Sequence, residues 1–169
     1  DLYGFAILST GTDFKGKTVK LKNDIVVNEG DAENWSKVAP ANPWASISKF
    51  AGTFDGQGHS IKGLYMKAAT DRSGLFAMTT TDATLKNFRI ENSYFEFAGP
   101  KNAALASVAG ELGGTLDSVY SNAIIKGDKL VYGGLAGTIV KGATIANCWF
   151  DAQMILGEKG GWAGGIVGS

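Results

Sequence analysis

The feature of this sequence that most restricts its fold is an internal repeat of about thirty residues. Four segments share a template whose first and fourth positions are apolar and whose third is Gly, Asn or Ser: Ile61–Met66, Leu85–Ile90, Leu116–Ser121 and Ile145–Phe150. Apolar residues at this spacing do not suit a continuous strand, whose faces alternate with period two. They indicate a strand, a bend and a second strand. The bend is predicted at residues that accept a left-handed backbone, namely Gly63, Asn87, Ser118 and Asn147.

A second apolar element recurs between these segments. Its copies are Gly74–Ala77, Ser107–Gly110, Gly134–Gly137 and Gly165–Gly168, and their unequal spacing indicates turns of variable length around fixed strands. Such short strands cannot each bury a face alone, whereas stacked repeats bury a continuous interior. The sequence therefore predicts an all-β fold, a right-handed parallel β-helix (solenoid) of about five coils. A sandwich or barrel would require several tight Asn-Gly or Asp-Gly hairpins, and only the Asp55-Gly56 corner resembles one.

We expect residues 1–169 to form a single β-helix domain, taken from a longer natural chain. Residues 1–27 are predicted to hold a short N-terminal capping helix, Leu2 to Ser9, and the first coil. Residues 28–49 are too long for a simple turn and are predicted to be a loop excursion, and residues 50–169 hold the repeat coils. The last coil has no visible cap, so its unpaired strand edges are expected to allow self-association.

Charge and composition exclude several classes of function. Lysine plus arginine equals aspartate plus glutamate, at 16 each, so no nucleic-acid partner is expected. No apolar run is long enough for a transmembrane helix, and direct membrane insertion is not expected. Cys148 is the only cysteine and cannot form an intrachain disulfide. The first five residues lack the basic region of a signal peptide, so we expect an export signal and any anchor to lie outside this sequence.

Several motifs resemble those of a known group of proteins. Residues 50–64 resemble the coil "F-x-G-x-F-D-G-x-G-H-x-I-x-G-L" of bacterial surface β-helix proteins. Gly133–Gly137 and Ala143–Cys148 resemble the GLUG motif, "G-G-L-V-G … G-x-I-x-N-C", found in large extracellular proteins that include adhesin-like and IgA-peptidase-like arrays. The resemblance implies a structural or adhesive module at the cell surface or outside the cell. The coil with Gly113–Val119 departs from the motif because it lacks the Asn-Cys ending.

Residues with catalytic chemistry are sparse. Asp55 and His59 could form a general-base pair, but their place in a glycine-rich corner favours a structural role. The acidic residues are scattered, and only Glu91 and Asp151 share a column of the repeat, with Asn122 between them. No catalytic residue, metal site or cofactor is therefore predicted. A polysaccharide lyase or hydrolase, which needs converging acids, is the less favoured alternative.

Six aromatic or cationic residues are the candidates for ligand binding. The fifth template position holds Tyr65, Arg89, Tyr120 and Trp149, which are predicted to point to solvent and to stack from coil to coil. This column is either a ladder that stabilises the sheet or a flat aromatic strip that binds glycans. Trp35 and Trp44, in the excursion, either pack onto the stack or present a binding surface. The expected partners are glycans or host and other extracellular proteins.

Overall fold

The computed structural model describes residues 1–68, 70–98, 103–128, 131–157 and 161–169; the other positions of the predicted repeat range lie outside the described residues. The chain forms a parallel β-solenoid with one short helix. Its first coil contains β1 (Thr18–Lys20) and β2 (Ile25–Val26). The second contains β3 (Thr53–Asp55), β4 (Ser60–Lys62), β5 (Tyr65–Ala68), β6 (Arg72–Ser73) and β7 (Phe76–Met78).

The later coils repeat this order. The third contains β8 (Thr84–Glu91), β9 (Tyr94–Phe97), β10 (Ala104–Leu105) and β11 (Ala109–Leu112), and the fourth β12 (Thr115–Ser121), β13 (Ile124–Gly127), β14 (Val131–Gly133) and β15 (Ala136–Ile139). The last contains β16 (Thr144–Ala146), β17 (Trp149–Phe150), β18 (Met154–Leu156) and β19 (Trp162–Gly164).

Successive coils stack their strands into four parallel sheets. The largest follows the order β1-β3-β8-β12-β16 and also includes β2, β4 and β17, and the others are β5-β9-β13-β18, β6-β10-β14-β19 and β7-β11-β15. Three coils contribute strands to all four sheets, and an incomplete coil flanks them at either end. The predicted fold class is confirmed. The predicted count of about five coils is reached only if both incomplete coils are included; the complete turns number about three.

The interior is apolar because inward positions of each coil stack on those of the next. Its largest buried side chains include five phenylalanines that are at most 1% exposed: Phe50, Phe54, Phe76, Phe88 and Phe95. The second apolar element aligns as the sequence predicts, since Ala109 pairs with Phe76 and with Ala136, and Ala136 bridges to Val167. One continuous core therefore runs through the stack.

The N-terminal helix α1 (Leu2–Leu8) covers the first end of this core, as predicted. It begins at Asp1, whose side chain accepts a hydrogen bond from the Gly4 amide at 2.6 Å. Leu2 is buried, and the Phe5 ring lies 5.9 Å from Phe50 and 5.8 Å from Phe54. The helix thus supplies apolar contacts that a preceding coil would otherwise make.

The excursion at 28–49 folds back onto the solenoid. It contains a 3-10 helix, Ala32–Asn34, and rejoins the stack where Ile47 bridges Phe76. Trp35 is 6% exposed and Trp44 4%, and the Trp44 amide donates to the Tyr65 carbonyl at 2.7 Å. Both tryptophans therefore pack onto the solenoid, and Trp44 also lines a groove with Met66 and Met78.

The predicted bends are correct, but the first template segment is misaligned. Asn87, Ser118 and Asn147 have φ of 58°, 55° and 53°. Gly63 is also left-handed, at 77°, but it lies at the following corner and contacts Asn92 through its backbone amide. The structure pairs Phe54, not Ile61, with Leu85.

The cause of the misalignment is a longer corner in the second coil. Asp55 pairs with Lys86 and Ser60 with Arg89, so four residues (56–59) span a corner that two residues (87–88) span in the next coil. Gln57 and Gly58 supply the left-handed backbone of this longer turn, with φ of 52° and 84°. The equivalent of Leu85 in the second coil is therefore Phe54, and Ile61, which the template places opposite Leu85, pairs with Ile90.

Candidate ligand-binding groove

Three of the predicted column residues lie side by side on the outer face of the largest sheet. Tyr120 on β12 pairs with Arg89 on β8 and with Trp149 on β17. Arg89 and Trp149 are exposed, Trp149 to 62%, and Tyr120 is half-buried. Their neighbours Phe88 and Val119 are buried, as strand alternation requires. The outward orientation of these three side chains is confirmed.

Tyr65 does not belong to this column. It pairs with Tyr94, is only 8% exposed, and stacks on the Tyr94 ring at 6.0 Å with Trp35 at 6.2 Å. The position beside Arg89 is held by the buried Ser60. The prediction that Tyr65 points to solvent is wrong, because residues 61–66 cross the next corner, at Gly63, which places Tyr65 on β5 in another sheet.

The two aromatic rings of the column are set at an angle to each other and do not form a flat strip. The ring centroids of Tyr120 and Trp149 are 5.6 Å apart and their planes make an angle of 77°. Edge-to-face contact of this kind is favoured by the quadrupoles of the rings. One ring therefore contributes an edge to the contact, so the predicted flat platform is replaced by an angled one.

The column borders a groove of about 770 Å³. This volume is within the range of small-molecule sites. Residues from four successive coils line it: Gln57, Gly58, Asn87, Phe88, Arg89, Glu91, Ser118, Val119, Tyr120, Asn147, Trp149 and Asp151. The groove thus crosses the strands and combines aromatic, amide and charged side chains on one face.

A second column of side chains runs beside the first, two positions further along each strand. It holds Glu91, Asn122 and Asp151, as the repeat predicts, and Lys62 pairs with Glu91 in strand register. The Glu91 carboxylate forms ion pairs with Lys62 at 3.3 Å and with Arg89 at 3.6 Å. Asp151 forms no ion pair with another residue in the part of the chain that the structure describes.

The left-handed corner residues of three coils, Asn87, Ser118 and Asn147, form the other wall of the groove. The Nδ2 of Asn87 donates to Asp55 Oδ1 at 3.2 Å, and that of Asn147 to Asp117 Oδ1 at 2.9 Å. Hydrogen bonds from Asn147 and Ser118 lower the pKa of Asp117. Sequence reasoning identified Asn87, Ser118 and Asn147 as bends but not as lining residues. Their recurrence beside the outward column was the signal that could have found them.

Asp55 and His59 do not form the general-base pair considered above. Asp55 Oδ1 accepts a hydrogen bond from the Gln57 amide at 3.0 Å, whereas His59 Nδ1 lies 3.2 Å from Asp24 Oδ1. Asp24 also accepts from the Ser60 amide at 2.9 Å. Both residues therefore hold corners of the solenoid together, which confirms the structural interpretation.

Corner hydrogen bonds should make stability depend on acid pH. The Gln57 amide is the main cause that lowers the pKa of Asp55, assisted by Asn87 and Lys86 and opposed by partial burial. A carboxyl with a lowered folded-state pKa adds stability above its unfolded pKa of about 4, and that contribution is lost as pH falls through the folded-state pKa. We expect Asp55→Asn to lower Tm at neutral pH, and its Tm to converge with that of the wild type at low pH.

Thermal unfolding followed by circular dichroism across this pH range would measure the effect. Asp151→Asn is the matched control, because Asp151 has no side-chain partner among the described residues. Parallel Tm curves for Asp55→Asn and the wild type at every pH would contradict the assigned role of Asp55.

Cys148 lies just before the aromatic column and is half-buried. Its thiol donates to the Ala146 carbonyl at 2.9 Å and accepts from the Val119 amide at 3.4 Å. Burial raises its pKa, so the thiol stays protonated at neutral pH. The hydrogen bond from Val119 links Cys148 to the preceding coil.

The described ranges contain no group of three or more His, Cys, Asp or Glu side chains arranged to hold a metal ion. Within the same ranges, no helix has the length and apolar character needed to cross a membrane.

The chain is similar to halomucin of Haloquadratum walsbyi (strain DSM 16790 / HBSQ001), with 30% identity over 129 residues that cover 73% of this chain and 1% of halomucin. The matched segment is therefore a very small part of a much longer protein. No family model matches the sequence. No solved structure matches it either.

Proposed function

We propose that this chain is a non-catalytic structural and adhesive module of a secreted or cell-surface protein. The observation that carries the proposal is the stack itself, in which three coils contribute to four parallel sheets around one apolar interior. Such a stack can be extended by repetition and leaves its outward positions free to vary. The GLUG-like motifs at Gly133–Gly137 and Ala143–Cys148, and the similarity to a small part of halomucin, support the same function.

Labelling of intact cells tests this proposal. Antibodies raised against the folded chain should bind intact cells of the source organism or detect the protein in culture fluid. An antigen that becomes detectable only after cell lysis would contradict it, provided that a known cytoplasmic protein serves as the lysis control.

A second function, carbohydrate binding, is favoured by the groove. Its volume of about 770 Å³ suits a short stretch of glycan, and the exposed face of Trp149 offers an apolar surface for a sugar ring. Carboxylate and amide groups from Asp151, Asn147 and Asn87 line the same space and can accept hydrogen bonds from sugar hydroxyls. The groove crosses successive coils, so an extended ligand would contact several repeats at once.

A glycan-array screen with a double variant tests the binding function. Trp149→Ala combined with Tyr120→Ala should weaken binding to any glycan bound by the wild type by about tenfold or more. Trp162→Ala is the matched control, because Trp162 is 70% exposed on the same coil but lies outside the groove. Absence of binding by the wild type, or equal loss in the control, would contradict a carbohydrate site here.

A further inference from the structure

The two ends of the groove differ in charge. At one end, Arg89 and Lys62 both form ion pairs with Glu91, at 3.6 and 3.3 Å, so the Glu91 carboxylate is compensated. At the other end, Asp151 lies two positions after Trp149 and on the same face of the sheet. It forms no ion pair with another described residue. Among the described residues, no positive charge compensates Asp151 at the Trp149 end.

The wall formed by the left-handed corner residues offers hydrogen-bond acceptors along the groove, with Asn147 on the coil of Trp149 and Asn87 on the coil of Arg89. The amide nitrogens of Asn87 and Asn147 are directed at Asp55 and Asp117, which do not line the groove. Ser118 likewise donates its hydroxyl hydrogen to Asp117, at 3.0 Å. The Oδ1 atoms of both asparagines accept no hydrogen bond from the described residues. A ligand rich in donors fits these walls better than one that carries only acceptors.

The ring pair of Tyr120 and Trp149 adds affinity for positive charge. Cations bind over the faces of aromatic rings, with Trp the strongest partner, and the attraction is larger where a carboxylate is close. The Trp149 ring is 62% exposed and stands at 77° to Tyr120, so a ligand can reach a ring face beside Asp151.

From these three observations we infer that the Trp149 end of the groove binds an amino sugar through its protonated amine. The sugar ring lies against Trp149, the ammonium group pairs with Asp151, and hydroxyls donate to the corner amides. The inference rests on the proposed carbohydrate binding and names the class of glycan. Glycans with acidic groups would place like charge beside Asp151 and are disfavoured.

Calorimetric titration with three oligosaccharides of equal length tests the inference. The ligands are a glucosamine oligomer, its N-acetylated counterpart and a uronic-acid oligomer, at a mildly acidic pH where the amine of glucosamine is protonated. The glucosamine oligomer should bind about tenfold more tightly than the acetylated one. Asp151→Asn should abolish this preference, and Trp149→Ala should weaken binding of both oligomers.

Each other outcome has a distinct meaning. Equal affinity for the amine and acetylated oligomers, or a preference that survives in Asp151→Asn, overturns the amino-sugar assignment while leaving carbohydrate binding intact. Tightest binding of the uronic-acid oligomer overturns it as well. Failure to bind any glycan in the array defeats the proposed carbohydrate function itself. A lysine-rich peptide that binds as tightly as the glucosamine oligomer would assign the site to a protein partner instead.

Discussion

Replacement of Phe76 by alanine is expected to lower the free energy of unfolding by about 3 to 5 kcal/mol. Phe76 is 0% exposed, and its ring centroid lies 5.0 Å from that of Phe50 and 5.6 Å from that of Phe54. Phe76 on β7 therefore packs against Phe50, which follows the excursion, and against Phe54 on β3 of the largest sheet. Its removal leaves a cavity that the rigid stack cannot close, in addition to the lost burial of the ring.

Urea unfolding followed by tryptophan fluorescence and circular dichroism would measure this loss. Ile139→Ala is the control, since Ile139 is 46% exposed on β15 and its truncation should change stability by no more than about 0.5 kcal/mol. Similar small effects for both variants would mean that Phe76 does not occupy the shared interior.

Replacement of Gly63 by alanine is expected to cost about 2 to 5 kcal/mol, the sum of two effects. Gly63 has φ of 77°, where a side chain is strained. A methyl group there would also overlap the backbone of Asn28 in the preceding coil. That contact is fixed, because the Asn28 side chain donates to the Gly63 carbonyl at 2.8 Å and to the Asn42 carbonyl at 2.7 Å.

Gly16→Ala separates the two effects. Gly16 has φ of 72°, close to that of Gly63, but a methyl group there meets no heavy atom within 4 Å. Its substitution should cost only the conformational part, about 1 to 2 kcal/mol in the same urea assay. Equal losses at both positions would argue against the close approach of Asn28 to Gly63.

The fold class could be predicted because both repeated elements encode the interior. Inward residues such as Leu85, Leu116 and Ile145 recur at equivalent positions, and bends recur at Asn87, Ser118 and Asn147. A repeat of apolar strands and left-handed corners has few folds that bury it. The short capping helix followed from the apolar run and its following turn.

Register in the second coil could not be predicted from the template. The Asp55 to Ser60 corner has two more residues than its equivalent in the third coil, and the template contains no gap. Ile61 therefore seemed to match Leu85, although it pairs with Ile90. Because residues 61–66 cross the following corner, at Gly63, Tyr65 lies outside the outward column and stacks on Tyr94.

The groove was predictable only in part. Alternation along the strands gives the outward orientation of Arg89, Tyr120 and Trp149. The angle of 77° between the two rings depends on side-chain rotamers, which the repeat does not specify. The ion pair that compensates Glu91 depends on Lys62, whose coil was misaligned.

The coil register that builds the groove can be tested by disulfide trapping in a Cys148→Ser background. Lys62 pairs with Glu91, so Lys62→Cys with Glu91→Cys places two thiols within the separation that a disulfide requires. The template alignment instead pairs Lys62 with Lys86. After mild oxidation and thiol titration in denaturant, we expect no free thiol in the 62/91 pair and both thiols free in a Lys62→Cys, Lys86→Cys pair. Cross-linking of 62 with 86, and not of 62 with 91, would contradict the register and the groove that depends on it.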